Sequence, residues 1–154
     1  MSGIAALLLE LGHKVSGSDK VRTVETDRLQ RLGLRFHVQH RAEDATDADL
    51  VVFSSAIKTD NPILMSARDA GTPAVRRAQA LAAIMRRKRS IVIAGMHGKT
   101  TTSAMTAHVL REAGLHPSYY VGAEIPILGS NAHWDPRGEY FVAEGDESDG
   151  TLRC

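Results

Sequence analysis

The stretch that decides the fold is SIVIAGMHGKTTT, residues 90–102. The apolar run at 90–94 predicts a strand, and a helical pattern begins at about Lys99. Between the two lie Gly95 and Gly98, which let the backbone turn tightly and approach an anion. The first N–H groups of a helix have no internal partner and lie at the positive end of its dipole. The stretch therefore predicts a loop that binds nucleotide phosphates.

The side chains of this loop indicate how a nucleotide would be held. Lys99 supplies a positive charge for the outer phosphates, and the Thr100 hydroxyl can reach a Mg²⁺ that bridges them. The strict pattern G-x-x-x-x-G-K-[ST] requires glycine at position 93, where this chain has Ile93, so the loop is a shortened form. We expect the nucleotide to contact Gly95, Met96, His97, Gly98, Lys99, Thr100 and Thr101.

Two of these residues are also candidates for a catalytic role. Lys99 can neutralise charge that develops on a transferred phosphoryl group. For His97 two interpretations stay open, packing within the loop and contact with the ligand. The seven histidines of the chain show no metal-ligand spacing, so His97 is not expected to bind a metal ion.

A cluster of carboxylates follows the apolar run at 139–143, which predicts another strand. Ligands bind at the carboxyl ends of strands in α/β sheets, and both Glu144 and the phosphate loop follow such ends. We therefore expect Glu144 to hold Mg²⁺ opposite Thr100 and to act in catalysis, although a solvated acidic turn would explain the cluster taken alone. Orientation of an amine substrate and plain surface charge both stay open for Asp146, Glu147 and Asp149.

Strand and helix patterns alternate along the whole chain, which predicts an α/β fold with a parallel sheet. Residues 1–86 are predicted to form a Rossmann-like unit, and residues 87–154 the start of a second α/β unit of the P-loop type. The basic run 86–89, RRKR, is interpreted as a solvated linker between them.

Polar residues follow two predicted strands of the first unit. Ser18 and Asp19 end the strand at 14–19, and Ser54 and Ser55 follow a buried strand at 50–53. We expect these four residues to share the ligand-binding edge of one parallel sheet, although polar strand ends in water would equally explain the two serines. In the second unit, Asn131 is a further candidate for substrate contact, and His133 beside it can face the same site.

Composition excludes several classes of function. The formal net charge of +1 and the aromatic content of 5% give no case for nucleic acid or an anionic membrane as partner. No apolar run approaches the ~18 residues that a membrane span needs. The lone cysteine, Cys154, cannot form an internal disulfide, which is compatible with a reducing cytoplasm.

Four segments resemble those of a known family. GMHGKTTT at 95–102 resembles the phosphate loop GTHGKTTT of the Mur ligases, the ATP-dependent enzymes that build the peptide stem of peptidoglycan. Three segments are similar to the branch of that family that acts on UDP-N-acetylmuramate and L-alanine: SGIAALLLELGHKVSGSD at 2–19, SSAIKTDNP at 54–62 and VAEGDESDGT at 142–151. Met96 stands where the family has threonine.

The resemblance implies a ligase that uses ATP and Mg²⁺ and joins L-alanine to UDP-N-acetylmuramate through an acyl phosphate. It implies UDP-sugar binding by residues 1–86 and ATP binding by residues 87–154. The family's glycine-rich first turn and its C-terminal parts have no counterpart here, so a fragment is expected. Two alternatives stay open, a nucleotide-binding remnant without catalysis and the related ligase that recycles peptides. A P-loop kinase or GTPase fits poorly, because the loop is shortened and a Rossmann-like unit precedes it.

Overall fold

The computed structural model describes residues 1–145 and divides into two compact units. The first unit is Met1–Ala80, and the second begins at Leu81, six residues before the predicted boundary. Each unit alternates helices with mainly parallel strands, so the predicted α/β class is confirmed. The part of the chain described contains no helix long and apolar enough to cross a membrane. The predicted acidic residues Asp146, Glu147 and Asp149 lie outside it.

The first unit contains helices α1 (Ser2–Glu10), α2 (Val24–Arg31) and α3 (Pro62–Asp69), strands β1 (Ser16–Asp19), β2 (Arg35–Val38), β3 (Val51–Phe53) and β4 (Ala74–Arg76), and a short 3-10 helix at Ala42–Ala45. Helix α2 begins where Thr23 and Thr26 exchange side-chain and backbone hydrogen bonds, which satisfies helix donors that would otherwise be unpaired. Its apolar face packs through Leu29 against Ala6 of α1 and against Leu34.

The strands of this unit form two separate parallel pairs rather than the single sheet predicted. Strand β1 pairs with β2, and β3 pairs with β4. Among residues 1–145 no strand of one pair is hydrogen-bonded to a strand of the other. Strand β3 is also half-buried rather than fully buried. Ser18 and Asp19 therefore end one sheet, while Ser54 and Ser55 follow a strand of the other.

The second unit is built on one four-stranded sheet. Helix α4 (Arg77–Met85) contains the boundary between the units and leads into strand β5 (Arg89–Ile93). Helix α5 (Lys99–Glu112) and strands β6 (Ser118–Tyr120), β7 (Ala132–His133) and β8 (Tyr140–Glu144) follow. The strand order is β5-β8-β6-β7, and only the β6–β7 pairing is antiparallel. Strand β7 was not predicted, because two residues are too few to show an alternating pattern.

Strand β8 lies in the middle of this sheet and is its most buried part. Phe141, Val142 and Ala143 have no exposed surface, which is why the run is apolar without alternation. Helix α5 packs on the sheet through Ala104 and Ala107, whose small side chains let the helix axis come close. The start of α5 is thereby fixed against the carboxyl ends of the central strands.

The basic run 86–89 lies within the second unit rather than between the units; its three arginines are exposed, as a solvated run would be, but Lys88 is half-buried. The Lys88 ammonium donates to the backbone carbonyls of Asp135 and Gly138 and lies 4.3 Å from the centre of the Trp134 ring. Burial lowers the pKa of Lys88, and the nearby Asp135 partly offsets this. Lys88 therefore ties the start of β5 to the loop before β8, through contacts between residues about fifty positions apart.

We predict that Lys88→Met lowers the free energy of unfolding by about 2–3 kcal/mol, because two backbone carbonyls lose a charged donor. Arg86→Met is the matched control, since Arg86 is exposed, and it should stay within about 0.5 kcal/mol of the parent chain. Urea denaturation of both variants measures the difference. Equal losses would show that the Lys88 contacts contribute nothing specific.

Candidate phosphate and metal site

The register of two parallel strands brings the phosphate loop and Glu144 to the same edge of the sheet. Strands β5 and β8 pair directly, with Ile93 opposite Glu144. The next backbone donor along β8, Gly145 N–H, bonds to the Ile93 carbonyl at 2.9 Å. The two predicted features therefore follow neighbouring strand ends, as the sequence indicated.

The loop itself has the backbone shape that an anion site needs. Gly95 and Gly98 have φ angles of 147° and 75°, values that residues with a Cβ rarely adopt. Gly98 is the N-cap of α5 and offers no side chain to the first helical N–H groups. The first hydrogen bond within the helix is the one from Thr102 N–H to the Gly98 carbonyl. Within residues 1–145 the N–H groups of the helix before Thr102 have no backbone partner, so they can bind an anion at the positive end of the helix.

The loop side chains are mostly open to solvent. Met96 is 89% exposed, and His97 and Thr101 are exposed as well. Lys99 is half-buried, and its ammonium donates to the Gly95 carbonyl at 2.7 Å. This bond holds the charge over the loop and still leaves two of the three ammonium hydrogens for phosphate oxygens.

Thr100 and Glu144 are in direct contact. The Thr100 hydroxyl donates to Oε2 of Glu144 at 3.2 Å, so the juxtaposition expected from the sequence is present. Oε1 of the same carboxylate accepts a hydrogen bond from Gly122 N–H at 2.7 Å. A hydroxyl that donates its hydrogen to a carboxylate keeps its lone pairs free, so the Thr100 oxygen can still face a cation.

This pair of oxygen donors fits Mg²⁺ only in combination with a substrate. Residues 1–145 contain no group of three His, Cys, Asp or Glu side chains that could hold a metal ion on their own. Mg²⁺ is commonly bound by one or two carboxylates together with substrate phosphates and water. Glu144, Thr100 and a nucleotide in the loop would complete such a set.

Sequence reasoning missed Gly122. The only sequence signal for its role is the glycine itself, at the end of a strand-like run. A glycine in such a place often marks a close approach of the backbone to another group. Gly122 lies two residues beyond Tyr120, the last residue of β6. Because β6 is the other neighbour of β8, this glycine lies beside Glu144.

The predicted substrate residues of the first unit follow strands of two different sheets. Ser18 Oγ is 2.7 Å from Nδ1 of His40, and the Asp19 carboxylate accepts a hydrogen bond from Lys20 N–H. Ser54 accepts a backbone hydrogen bond from Ile57 N–H in a turn, and Ser55 beside it is exposed. The shared edge expected for them is not formed, because β1 and β3 belong to different sheets.

The two candidates from the loop before β8 lie on the far side of β6. Asn131 uses its backbone carbonyl to accept a hydrogen bond from Val121 N–H, and its side chain is half-buried. His133 is in β7, with its ring 5.8 Å from that of Tyr119. A role in substrate binding stays a prediction for Asn131.

The fold and the loop together define a class: an α/β protein whose second unit carries a phosphate-type loop beside a hydroxyl–carboxylate pair. The model of the Mur ligase family, catalytic domain, matches residues 1–89, more than half of the chain. The chain belongs to the Mur ligase family, which confirms the resemblance seen in the sequence.

The curated relatives of this chain belong to the same family of ligases. The chain is 50% identical over 152 residues to the UDP-N-acetylmuramate–L-alanine ligase of Pelotomaculum thermopropionicum, covering 99% of this chain and 33% of the relative. It is 51% identical over 153 residues to the ligase of the same name from Syntrophobacter fumaroxidans, covering 99% and 32%. The chain thus spans about a third of the length of the curated relatives it matches.

Solved structures agree with the fold. The UDP-N-acetylmuramate–alanine ligase of Thermotoga maritima is 33% identical, with a TM-score of 0.87 over 96% of this chain and 35% of that one. The UDP-N-acetylmuramate:L-alanyl-γ-D-glutamyl-meso-diaminopimelate ligase of Neisseria meningitides is 31% identical, with a TM-score of 0.85 over 96% and 49%.

The backbone of the loop leads to a stability prediction. Gly98→Ala should lower the free energy of unfolding by about 1–2 kcal/mol, because alanine is strained at a φ of 75°. Gly98→Asn is the matched variant and should cost less, since asparagine tolerates the left-handed region better. Thermal unfolding of the two proteins measures this order. An alanine variant as stable as the parent would contradict the geometry of the loop.

Proposed function

We propose that this chain takes part in the ATP-dependent joining of L-alanine to UDP-N-acetylmuramate, a cytoplasmic step of peptidoglycan synthesis. The relatives that match it at about half identity over nearly its whole length are named for that reaction. The observation that carries the proposal is the contact between the Thr100 hydroxyl and the Glu144 carboxylate at the end of the phosphate loop.

The reaction makes an amide from a carboxylate and an amine. A carboxylate oxygen of UDP-N-acetylmuramate attacks the γ-phosphorus of ATP, and ADP leaves with the electrons of the broken P–O bond. The nitrogen of L-alanine then attacks the carbonyl carbon of the acyl phosphate. Phosphate leaves, the nitrogen loses a proton to solvent or to phosphate, and the amide remains. No side chain has to become covalently attached to the substrate.

The loop residues supply charge and orientation in the first step. The free N–H groups at the start of α5 and the Lys99 ammonium face the anionic phosphates and offset the charge that moves onto the transferred group. The bond from Lys99 to the Gly95 carbonyl keeps the ammonium over the loop, so it needs little rearrangement when ATP arrives. His97 lies in the same exposed loop, where it can contact the nucleotide.

The oxygen atoms of Thr100 and Glu144 would hold Mg²⁺. The ion, when bound, would withdraw charge from the phosphate oxygens. The two residues are oriented in advance, because both carboxylate oxygens of Glu144 already accept hydrogen bonds. Gly122 and Thr100 thus limit the positions that the carboxylate can adopt.

The first unit would bind the UDP-sugar. Ser18, Asp19, Ser54 and Ser55 follow strand ends there and offer hydroxyl and carboxylate groups to a ribose or base. Asn131 is the further substrate residue proposed in the second unit. These assignments rest on strand ends and on the family resemblance, and a bound nucleotide would test each of them.

Two alternatives differ in chemistry. The first is the peptide-recycling reaction, supported by the similar TM-scores of the two ligase structures, 0.87 and 0.85. The second is nucleotide binding without ligation, which requires only the phosphate loop and the start of α5. The names of those relatives favour L-alanine as the acceptor.

Phosphate release separates the three functions. The 154-residue chain is supplied with ATP, Mg²⁺ and UDP-N-acetylmuramate, and either L-alanine or L-alanyl-γ-D-glutamyl-meso-diaminopimelate as acceptor. Release that depends on L-alanine supports the proposal, and faster release with the tripeptide favours the recycling reaction. Binding of ATP and UDP-N-acetylmuramate without release favours the binding-only function. Binding of neither ligand contradicts the proposal and both alternatives.

Substitutions can test the separate roles proposed for Lys99 in phosphate binding and for Glu144 in Mg²⁺ binding. Lys99→Ala should weaken ATP binding about tenfold or more, since a charge-assisted contact is worth roughly 1.5–3 kcal/mol. Glu144→Ala should mainly weaken the dependence of binding on Mg²⁺ and leave metal-free ATP binding nearly unchanged. Titration calorimetry with and without Mg²⁺ measures both effects.

Matched controls remove the same charges elsewhere. Lys14→Ala and Glu139→Ala change exposed side chains, and Glu139 directly precedes β8 at the end opposite Glu144. Both controls should bind ATP as the parent chain does. Equal losses in Lys99→Ala and Lys14→Ala would mean that the loop is not the nucleotide site.

A further inference from the structure

We propose that Gly122 is a positioning residue that holds the Glu144 carboxylate in the orientation required for Mg²⁺. This inference rests on the proposed function, since it concerns how the same site is built. Three observations carry it: a hydrogen bond, a steric limit and the ordinary backbone conformation of the glycine.

The hydrogen bond fixes one oxygen of the carboxylate. Gly122 N–H donates to Oε1 of Glu144 at 2.7 Å, while the Thr100 hydroxyl donates to Oε2 at 3.2 Å. The two donors come from different parts of the chain, the segment just after β6 and the start of α5. With one donor on each oxygen, the carboxylate cannot rotate without losing a charge-assisted hydrogen bond.

A steric limit links the residue at position 122 to the carboxylate: any side chain there would displace the end of Glu144. A Cβ at residue 122 would lie 2.8 Å from Oε2 of Glu144 and 3.3 Å from its Cδ. Cβ atoms in proteins essentially never come as close to another heavy atom as 2.8 Å. Since the atoms it would meet belong to the far end of a flexible side chain, the carboxylate would move and the backbone would not.

The backbone conformation shows that room, rather than flexibility, is what requires glycine here. Gly122 is not among the residues with positive φ, so alanine could adopt its conformation without strain. Gly17 shares this property, and a Cβ there would meet Leu34 at an ordinary 3.7 Å. Gly17 therefore offers a matched control, with the same substitution in an uncrowded place.

The test is a double-mutant cycle on the 154-residue chain. Gly122→Ala, Glu144→Ala and the double variant are compared with the parent chain and with Gly17→Ala. ATP binding is measured by calorimetry over a range of Mg²⁺ concentrations, and thermal unfolding is recorded for each protein. The quantity compared is the Mg²⁺ concentration at which the increase in ATP affinity caused by Mg²⁺ reaches half of its maximum.

We expect Gly122→Ala to raise this Mg²⁺ concentration about tenfold, the factor that corresponds to one lost hydrogen bond to a charged group. Metal-free ATP binding should stay unchanged. In the Glu144→Ala background the same glycine substitution should have no further effect, because the carboxylate that it displaces is gone. Gly17→Ala should behave as the parent chain.

The outcomes distinguish the inference from the proposed function. A parent chain that binds ATP without any Mg²⁺ dependence contradicts the metal site itself. A Mg²⁺-dependent parent with an unchanged Gly122→Ala variant overturns the positioning role alone. If Gly122→Ala does not fold, thermal unfolding of the double variant decides: stability equal to that of Glu144→Ala supports the steric conflict, and continued failure to fold overturns it.

Discussion

The structure depends most on the parallel pairing of β5 with β8. The register of this pair sets Ile93 opposite Glu144, so the phosphate loop and the carboxylate leave the sheet at the same edge. A shift of one residue would turn the Glu144 side chain to the other face of the sheet, away from Thr100. The buried β8 makes such a shift costly, because Phe141, Val142 and Ala143 are fully enclosed.

Contacts distant in sequence reinforce this register. Lys88, directly before β5, binds carbonyls in the loop that precedes β8, and Gly122 just after β6 binds Glu144 at the end of β8. Helix α5 adds the Thr100 hydroxyl from a third direction. The carboxylate is thus held by groups from several elements, which gives it a defined position before any ligand binds.

Sequence reasoning predicted the features that depend on local pattern. The strand, the two glycines and the helix start are contiguous, and the edge rule for parallel strands then places Glu144 near Thr100. The features that it missed depend on distant partners. The charge of Lys88 indicated solvent, but its partners Asp135 and Gly138 are about fifty residues away. The contact of Gly122 requires the strand order β8-β6, which no local pattern shows.

The most direct measurement is paramagnetic broadening by Mn²⁺, a substitute for Mg²⁺, in the presence of an ATP analogue that cannot transfer its γ-phosphate. Amide signals from the 154-residue chain report which residues lie next to the ion. The account predicts that signals of Thr100, Gly122 and Glu144 broaden at the lowest Mn²⁺ concentrations. Signals that stay sharp at these three residues, while those of exposed acidic residues such as Glu25 and Asp27 broaden first, would contradict it.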